Sequence, residues 1–232
     1  MNPEFSSWKV GAPYYLPFLV LSILAQIIAV WLGFPWGATP LWLLFAFTLN
    51  FFRDPKRTIT SNASEIVSPA DGVVDAIEEL EYSPYYEGPC ICVSIFLNVF
   101  NVHVNRAPDE CKIERIEYRE GEFRNAMDPT SRQMNESNTL YLDTPNGPMT
   151  VKQISGAIAR RIVCVTSEGK HLTKGEKFGM IKFGSRTELY LPMNATILVK
   201  TGQRVNGGSS NLARIDNTYT ENTDARRTQK EA

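Results

Sequence analysis

The sequence predicts a mainly β domain of barrel or sandwich type, preceded by an N-terminal hydrophobic helical hairpin. Two observations predict it. Apolar residues crowd into the first fifty positions, whereas the middle of the chain is cut into short apolar segments by turn residues. Helical periodicity is weak in that middle part, Gly121 to Met127 being the one candidate stretch. With 232 residues there is room for one full domain and an appendage. The hydrophobic fraction of 43% is ordinary, so it is the distribution that separates the two parts. A net charge of −1 provides no basic field, which argues against nucleic acid as a partner. Cys90, Cys92, Cys111 and Cys164 form no C-x-x-C pair, and the histidines are only His103 and His171. No metal site is expected, and the cysteines read as reduced thiols.

Tyr14 to Phe34 carries no charge and is about as long as the roughly 20 residues a helix needs to cross a bilayer. Pro35-Trp36-Gly37-Ala38-Thr39-Pro40 breaks the run, and Leu41 to Phe52 resumes it over a shorter, re-entrant length. Trp8, Tyr14, Tyr15, Trp36 and Trp42 suit a membrane interface. A signal peptide fits less well, because a single lysine (Lys9) precedes the run and no small-residue cleavage site follows. Arg53, Lys56 and Arg57 abut the apolar end, which places that end on the cytoplasmic side of the cell membrane. Residues 1–57 therefore read as the membrane-anchoring segment, of which 14–52 are expected to attach the protein without contributing catalytic groups.

Residues 58–214 read as the β-rich domain. Cys90–Phe96, Thr139–Leu142, Met149–Ile154, Arg161–Val165, Glu188–Leu191 and Ala195–Val199 look like strands. Asp71-Gly72, Pro145-Asn146-Gly147, Glu168-Gly169, Lys174-Gly175 and Gly207-Gly208 mark turns between them. Residues 215–232 are polar and read as a disordered tail.

Three segments carry candidate chemistry. Ser68-Pro69-Ala70-Asp71-Gly72 presents a carboxylate in what is otherwise a type I turn. Asn101 to Pro108 places His103 in an apolar strand, where a histidine is often just a satisfied core residue. Lys182-Phe183-Gly184-Ser185-Arg186 sets a Gly-Ser pair in a strand-like run, where glycine often marks a bulge. Asp, His and Ser together are the parts of an activated hydroxyl nucleophile, provided the fold assembles them.

Six stretches resemble the phosphatidylserine decarboxylase family, short bacterial and archaeal type. They are Phe51-Phe52-Arg53-Asp54-Pro55-Lys56-Arg57, Ser68 to Gly72, Val102 to Pro108, Asn135-Glu136-Ser137-Asn138, Lys152 to Cys164, and Phe183-Gly184-Ser185-Arg186. Each is a weak signal; six in family order, between about residues 15 and 213, are a strong one. The resemblance implies a zymogen that cuts itself between Gly184 and Ser185, into chains 1–184 and 185–232. It implies Ser185 as nucleophile and source of a covalent pyruvoyl cofactor (pyruvate), His103 as base, and Asp71 as the group that orients His103. It implies phosphatidylserine as the phospholipid substrate and phosphatidylethanolamine as the product, with the membrane as a further partner. Arg106, Arg160, Arg161 and Arg186 are candidates for binding the substrate phosphate, Arg106 and Arg186 foremost. Assembly into a homo-oligomer is left open.

The chain departs from some family members at Phe100, where they carry a second histidine. His171, in a turn, is given no role. Two other readings compete: a non-enzymatic biotinyl or carrier-like β module, and a serine hydrolase that does not cut itself. The first lacks a Met-Lys-Met hairpin lysine, and the second lacks a G-x-S-x-G elbow around Ser185.

Overall fold

The structure is a computed structural model that describes residues 5–125, 128, 130–157, 161–182 and 185–215. Helix α1 (Ser7–Trp31) leads through a short 3-10 turn (Pro35–Ala38) into α2 (Thr39–Phe51). Pro35 and Pro40 sit in the first turns of their helices, where a missing N–H breaks no hydrogen bond. Gln26, the amide inside the apolar run, accepts from Trp42 Nε1 at 3.2 Å and donates to the Pro35 carbonyl at 3.0 Å. Its polar group is thus spent on closing the hairpin, as a low-dielectric setting demands. The 25 residues of α1 span roughly 37 Å, enough for a bilayer core, whereas the 13 of α2 do not reach across alone. Trp31 and Trp36, at the hairpin tip, are 83% and 78% exposed.

The helix begins at Ser7, before the apolar run that starts at Tyr14. Its first turns are held by the β domain: Phe5, Val10, Tyr14 and Tyr15 pack with Phe51, Phe52, Val102, Val104 and Met180. Gly11 permits this approach, since a Cβ there would lie 2.4 Å from Phe52 Cγ.

The β domain runs β1 (Glu65–Val67), β2 (Gly72–Leu80), β3 (Cys90–Leu97), β4 (Val104–Arg106) and β5 (Cys111–Arg119). After a short helix, α3 (Ser131–Met134), come β6 (Ser137–Asp143), β7 (Met149–Ile154), β8 (Ile162–Cys164), β9 (His171–Leu172) and β10 (Lys177–Ile181). The last four are β11 (Ser185–Pro192), β12 (Ala195–Ile197), β13 (Arg204–Val205) and β14 (Asn211–Ile215). Eight strands form one curled sheet in the order β13-β2-β3-β11-β7-β6-β5-β9. Two three-stranded sheets, β1-β14-β12 and β4-β10-β8, complete the domain.

Every described strand pairing is antiparallel. One face of the large sheet carries Val93, Ile95, Val151, Leu189 and Leu191 into the main core. On the opposite face of β11, Arg186 pairs with Asp75 at 2.8 Å and Glu188 with Arg132 of α3 at 2.6 Å. Burial on both faces explains why β11 is buried at every position.

Strands β2 and β5 were not evident in the sequence because their outward positions, such as Glu78, Glu79, Glu114 and Glu117, interrupt the apolar pattern. The helical stretch expected near Gly121 to Met127 is not formed over Gly121–Asn125, and residues 126 and 127 lie outside the described residues. The expected disordered tail lies outside them too, beyond Ile215. All four cysteines are free, and Cys90, Cys92 and Cys111 are buried.

Candidate active site

Ser185 opens β11 and pairs with Leu97 at the end of β3. Its side chain is fully buried, and Oγ has no hydrogen-bond partner among the described residues. A buried hydroxyl without a partner forfeits its hydrogen bonds to water, a cost it shares here with Ser61, Thr150, Ser155 and Thr166. Phe183 and Gly184, and with Gly184 the carbonyl side of the expected scissile bond, lie outside the described residues.

His103 precedes β4 and is fully buried. Its backbone carbonyl accepts from Ile181 N at 3.2 Å, which brings it beside the end of β10, four residues before Ser185. Nδ1 lies 2.9 Å from the Asn101 carbonyl oxygen. A carbonyl only accepts, so Nδ1 carries the proton and the basic lone pair is on Nε2. The Asn101 side chain holds this loop by accepting from Asn98 N at 2.9 Å. The Phe51 ring lies against the imidazole, centroid to centroid 4.3 Å at 34°. Burial lowers the His103 pKa to about 4; the Asn101 hydrogen bond opposes that shift and the Arg53 charge adds to it. At neutral pH the ring is therefore uncharged and able to take a proton.

Asp71 sits in the turn before β2 and is buried. One carboxylate oxygen accepts from Arg57 at 2.6 Å and the other from Gly207 N at 2.9 Å. Burial raises its pKa, while Arg57 and the Gly207 hydrogen bond pull it back. The resemblance implies Asp71 as the group that orients His103, and in the structure Nδ1 meets the Asn101 carbonyl. Across the sheet, Val73 pairs with Phe96, and Phe96 pairs with Arg186. The segments bearing Asp71 and Ser185 are thus two strand spacings apart, about 10 Å. Asp71 and Ser185 lie at the same end of the large sheet and His103 beside the end of β10, and no hydrogen bond joins the three as a relay.

A row of buried amides joins the Asp71 turn to β11. Asn105 donates to the Pro69 carbonyl at 3.4 Å and to Thr187 Oγ1 at 3.1 Å. Gln153 Nε2 donates to Asn105 Oδ1, and Asn138 Nδ2 to Gln153 Oε1, each at 2.9 Å. Arg106, expected at the substrate phosphate, is buried against Asp54 at 3.1 Å and the Gly175 carbonyl. Arg186 is buried against Asp75 and Ser94. Arg161 supplies a backbone carbonyl to Lys182 N at 3.2 Å, and Arg160 lies outside the described residues.

Sequence reading missed Phe51, Arg57, Asn101 and Asn105. Arg57 was visible as part of a positive cluster beside the apolar run and of the Phe51 to Arg57 stretch; the acidic Asp54 among those cations was the overlooked sign of internal pairing. Phe51 lies in that same stretch, and Asn101 and Asn105 in the segment around His103, but the task of each is set by contacts that only the fold makes.

Comparison with known proteins bears on this arrangement. A sequence model of the phosphatidylserine decarboxylase family matches residues 44–213. The chain is 44% identical over 216 residues to a phosphatidylserine decarboxylase proenzyme of Carboxydothermus hydrogenoformans, covering 93% of this chain and 99% of that one. It is 41% identical over 210 residues to the proenzyme of Ralstonia pickettii, covering 90% and 95%. Against the proenzyme of Neisseria meningitidis serogroup C, identity is 41% over 182 residues, covering 78% and 68%.

Proposed function

The chain belongs to the phosphatidylserine decarboxylase family, and from that premise we propose that it is a membrane-anchored proenzyme that cuts itself at Gly184-Ser185 and then converts phosphatidylserine to phosphatidylethanolamine. The observation that carries the reading is Ser185 Oγ, buried and without a hydrogen-bond partner among the described residues at the head of β11. Family membership displaces the carrier-module alternative.

In the proposed self-cleavage, Ser185 Oγ attacks the Gly184 carbonyl carbon and His103 Nε2 takes the hydroxyl proton. The C–N bond breaks as an ester forms, and the proton passes to the freed nitrogen. Loss of the Cα proton and of the Gly184 carboxylate leaves an unsaturated residue 185. Water then releases ammonia from it, giving a pyruvoyl group at the new amino terminus. Burial of Ser185 fits this sequence, because it keeps bulk water from competing with the hydroxyl. The pyruvoyl carbonyl supplies an electron sink once condensed with the substrate amine. Asp71 is assigned to fixing Arg57 and the turn at Gly207 rather than to contact with Nδ1.

The apolar hairpin holds the domain at the bilayer surface, with Arg53, Lys56 and Arg57 on the cytoplasmic side. Positioned there, the site meets its lipid at raised local concentration.

Intact-mass analysis and denaturing electrophoresis of purified protein test the reading. Two chains are expected, 1–184 and 185–232, the second lacking a free amine. Ser185→Ala is expected to remain one folded, inactive chain. A wild-type protein that stays whole while decarboxylating, or a second chain that begins with a free serine amine, overturns it.

A further inference from the structure

We propose that residues 51–57, which join the apolar hairpin to the β domain, form a strap that positions the self-cleavage groups, with Phe51 and Arg57 as its positioning residues. The proposal rests on the self-cleavage reading given above. A plain tether has no need of specific side chains, but four of the seven residues of this one, Phe51, Arg53, Asp54 and Arg57, hold groups at the site or on the strands beside it. Phe51, fully buried, lies on the His103 imidazole. Arg53 Nη2 donates to the Phe100 carbonyl at 2.7 Å, fixing the loop whose Asn101 carbonyl holds His103 Nδ1. Asp54 takes Arg106 at 3.1 Å and Lys177 at 2.9 Å, one on each of the paired strands β4 and β10. Arg57 closes the run on Asp71.

The helices hold the other side of the strap. Ser7 Oγ donates to the Phe52 carbonyl at 2.7 Å, and Tyr14 stacks on Phe52 with centroids 5.4 Å apart. Lys182, three residues before the nucleophile, donates to Tyr14 OH at 3.2 Å and lies 4.7 Å from its ring centroid. The packing of α1 and α2 and the geometry of the cut site are therefore one construction.

The charged groups on the elements around His103 are Arg53 on the strap, Arg106 on β4, and Lys177 and Lys182 at the two ends of β10. Among them Arg53 acts on the imidazole, in the same direction as burial. Phe51 supplies one wall of that burial. Removing its ring admits water beside the imidazole and returns its titration toward the ordinary value near 6.5. Arg57 acts through Asp71, on the far side of the sheet end, and leaves the imidazole's surroundings in place.

The test follows cleavage of freshly synthesised full-length chain in nanodiscs, as the rate of two-chain formation against pH. Wild type should lose cleavage on acidification with a midpoint near pH 4. Phe51→Ala should cleave more slowly, with that midpoint raised toward 6.5, a change that mere loosening of the fold would not give. Phe51→Leu keeps most of the apolar volume without the flat ring, and decides the case if the alanine variant does not fold. It should raise the midpoint by a smaller amount. Arg57→Gln should slow cleavage at least tenfold at unchanged midpoint, with Arg57→Lys recovering part of the rate. A Phe51→Leu variant with wild-type rate and midpoint, or Arg57→Gln cutting at the wild-type rate, overturns the strap. Wild type remaining one chain overturns the self-cleavage reading and this proposal with it.

Discussion

At the scale of single residues, the site is defined by buried polar groups. Ser185 lacks a described hydrogen bond, and His103 is held neutral by a dry setting. The second fact has a thermodynamic consequence. An unfolded imidazole titrates near 6.5 and the folded one at about 4, so between these values only the unfolded chain binds the proton. Stability therefore rises with pH across that window and is lost as pH falls through it. Above about 6.5 both states are neutral, and below about 4 both are charged, so the dependence is confined to the interval. The expected loss is on the order of 3 kcal/mol between pH 6.5 and 4. Denaturant unfolding of Ser185→Ala with and without His103→Gln, both single chains, isolates it. The two stability curves should converge on acidification; parallel curves would show that His103 titrates normally.

At the scale of elements, the start of β2 and the end of β3 carry the site. Gly72 follows Asp71 and crosses so close to β3 that a Cβ would meet the Phe96 carbonyl oxygen at 2.3 Å and Ile95 Cγ2 at 2.8 Å. Backbone cannot move aside cheaply there, because Phe96 is paired on both sides, to Val73 and to Arg186. Gly72→Ala is expected to cost about 1–3 kcal/mol, read by thermal unfolding, and to slow self-cleavage as well. Loss of stability with cleavage unchanged would separate this sheet end from the chemistry. The polar face of β11 shows the same economy of space. Glu188 accepts from Tyr190 OH at 2.6 Å and pairs with Arg132, so its charge is buried but matched.

At the scale of the whole molecule, the apolar hairpin and the β domain share a core. Removing residues 14–52, which the sequence presents as a dispensable anchor, takes away two fully buried phenylalanines, Phe51 and Phe52. At about 3–5 kcal/mol each, their loss rivals the stability of an ordinary domain. The truncated chain is expected to lose its cooperative unfolding transition by circular dichroism. Replacing only Leu19–Leu44 by a flexible Gly-Ser turn keeps Tyr14, Phe51 and Phe52 in place. That variant should fold and cut itself, yet lose its preference for vesicles over a short-chain soluble phosphatidylserine. A retained vesicle preference would show that the apolar hairpin is not what brings the enzyme to its lipid.

Much of this was legible in the chain itself. The apolar run with its flanking cations announced the hairpin, alternation and turn residues announced six of the strands, and six short segments in order announced the family. These are local signals, set by periodicity, turn chemistry and residue type, and they survive without a fold. Ser185, His103 and Asp71 stood out for the same reason. What the sequence could not show was how distant segments meet. That Nδ1 rests on Asn101 rather than Asp71, that Arg57 belongs to Asp71, and that Arg106 is spent on Asp54 depend on strand register and on chain crossings between residues far apart. The amide row from Asn138 through Gln153 and Asn105 to Thr187 exists only once β6, β7, β4 and β11 are packed together. The sequence by itself determined the class of domain, the apolar hairpin and the residue types available for chemistry. Tertiary structure alone decided which polar groups lose water and what partner each finds, because desolvation and hydrogen-bond geometry are properties of the packed interior.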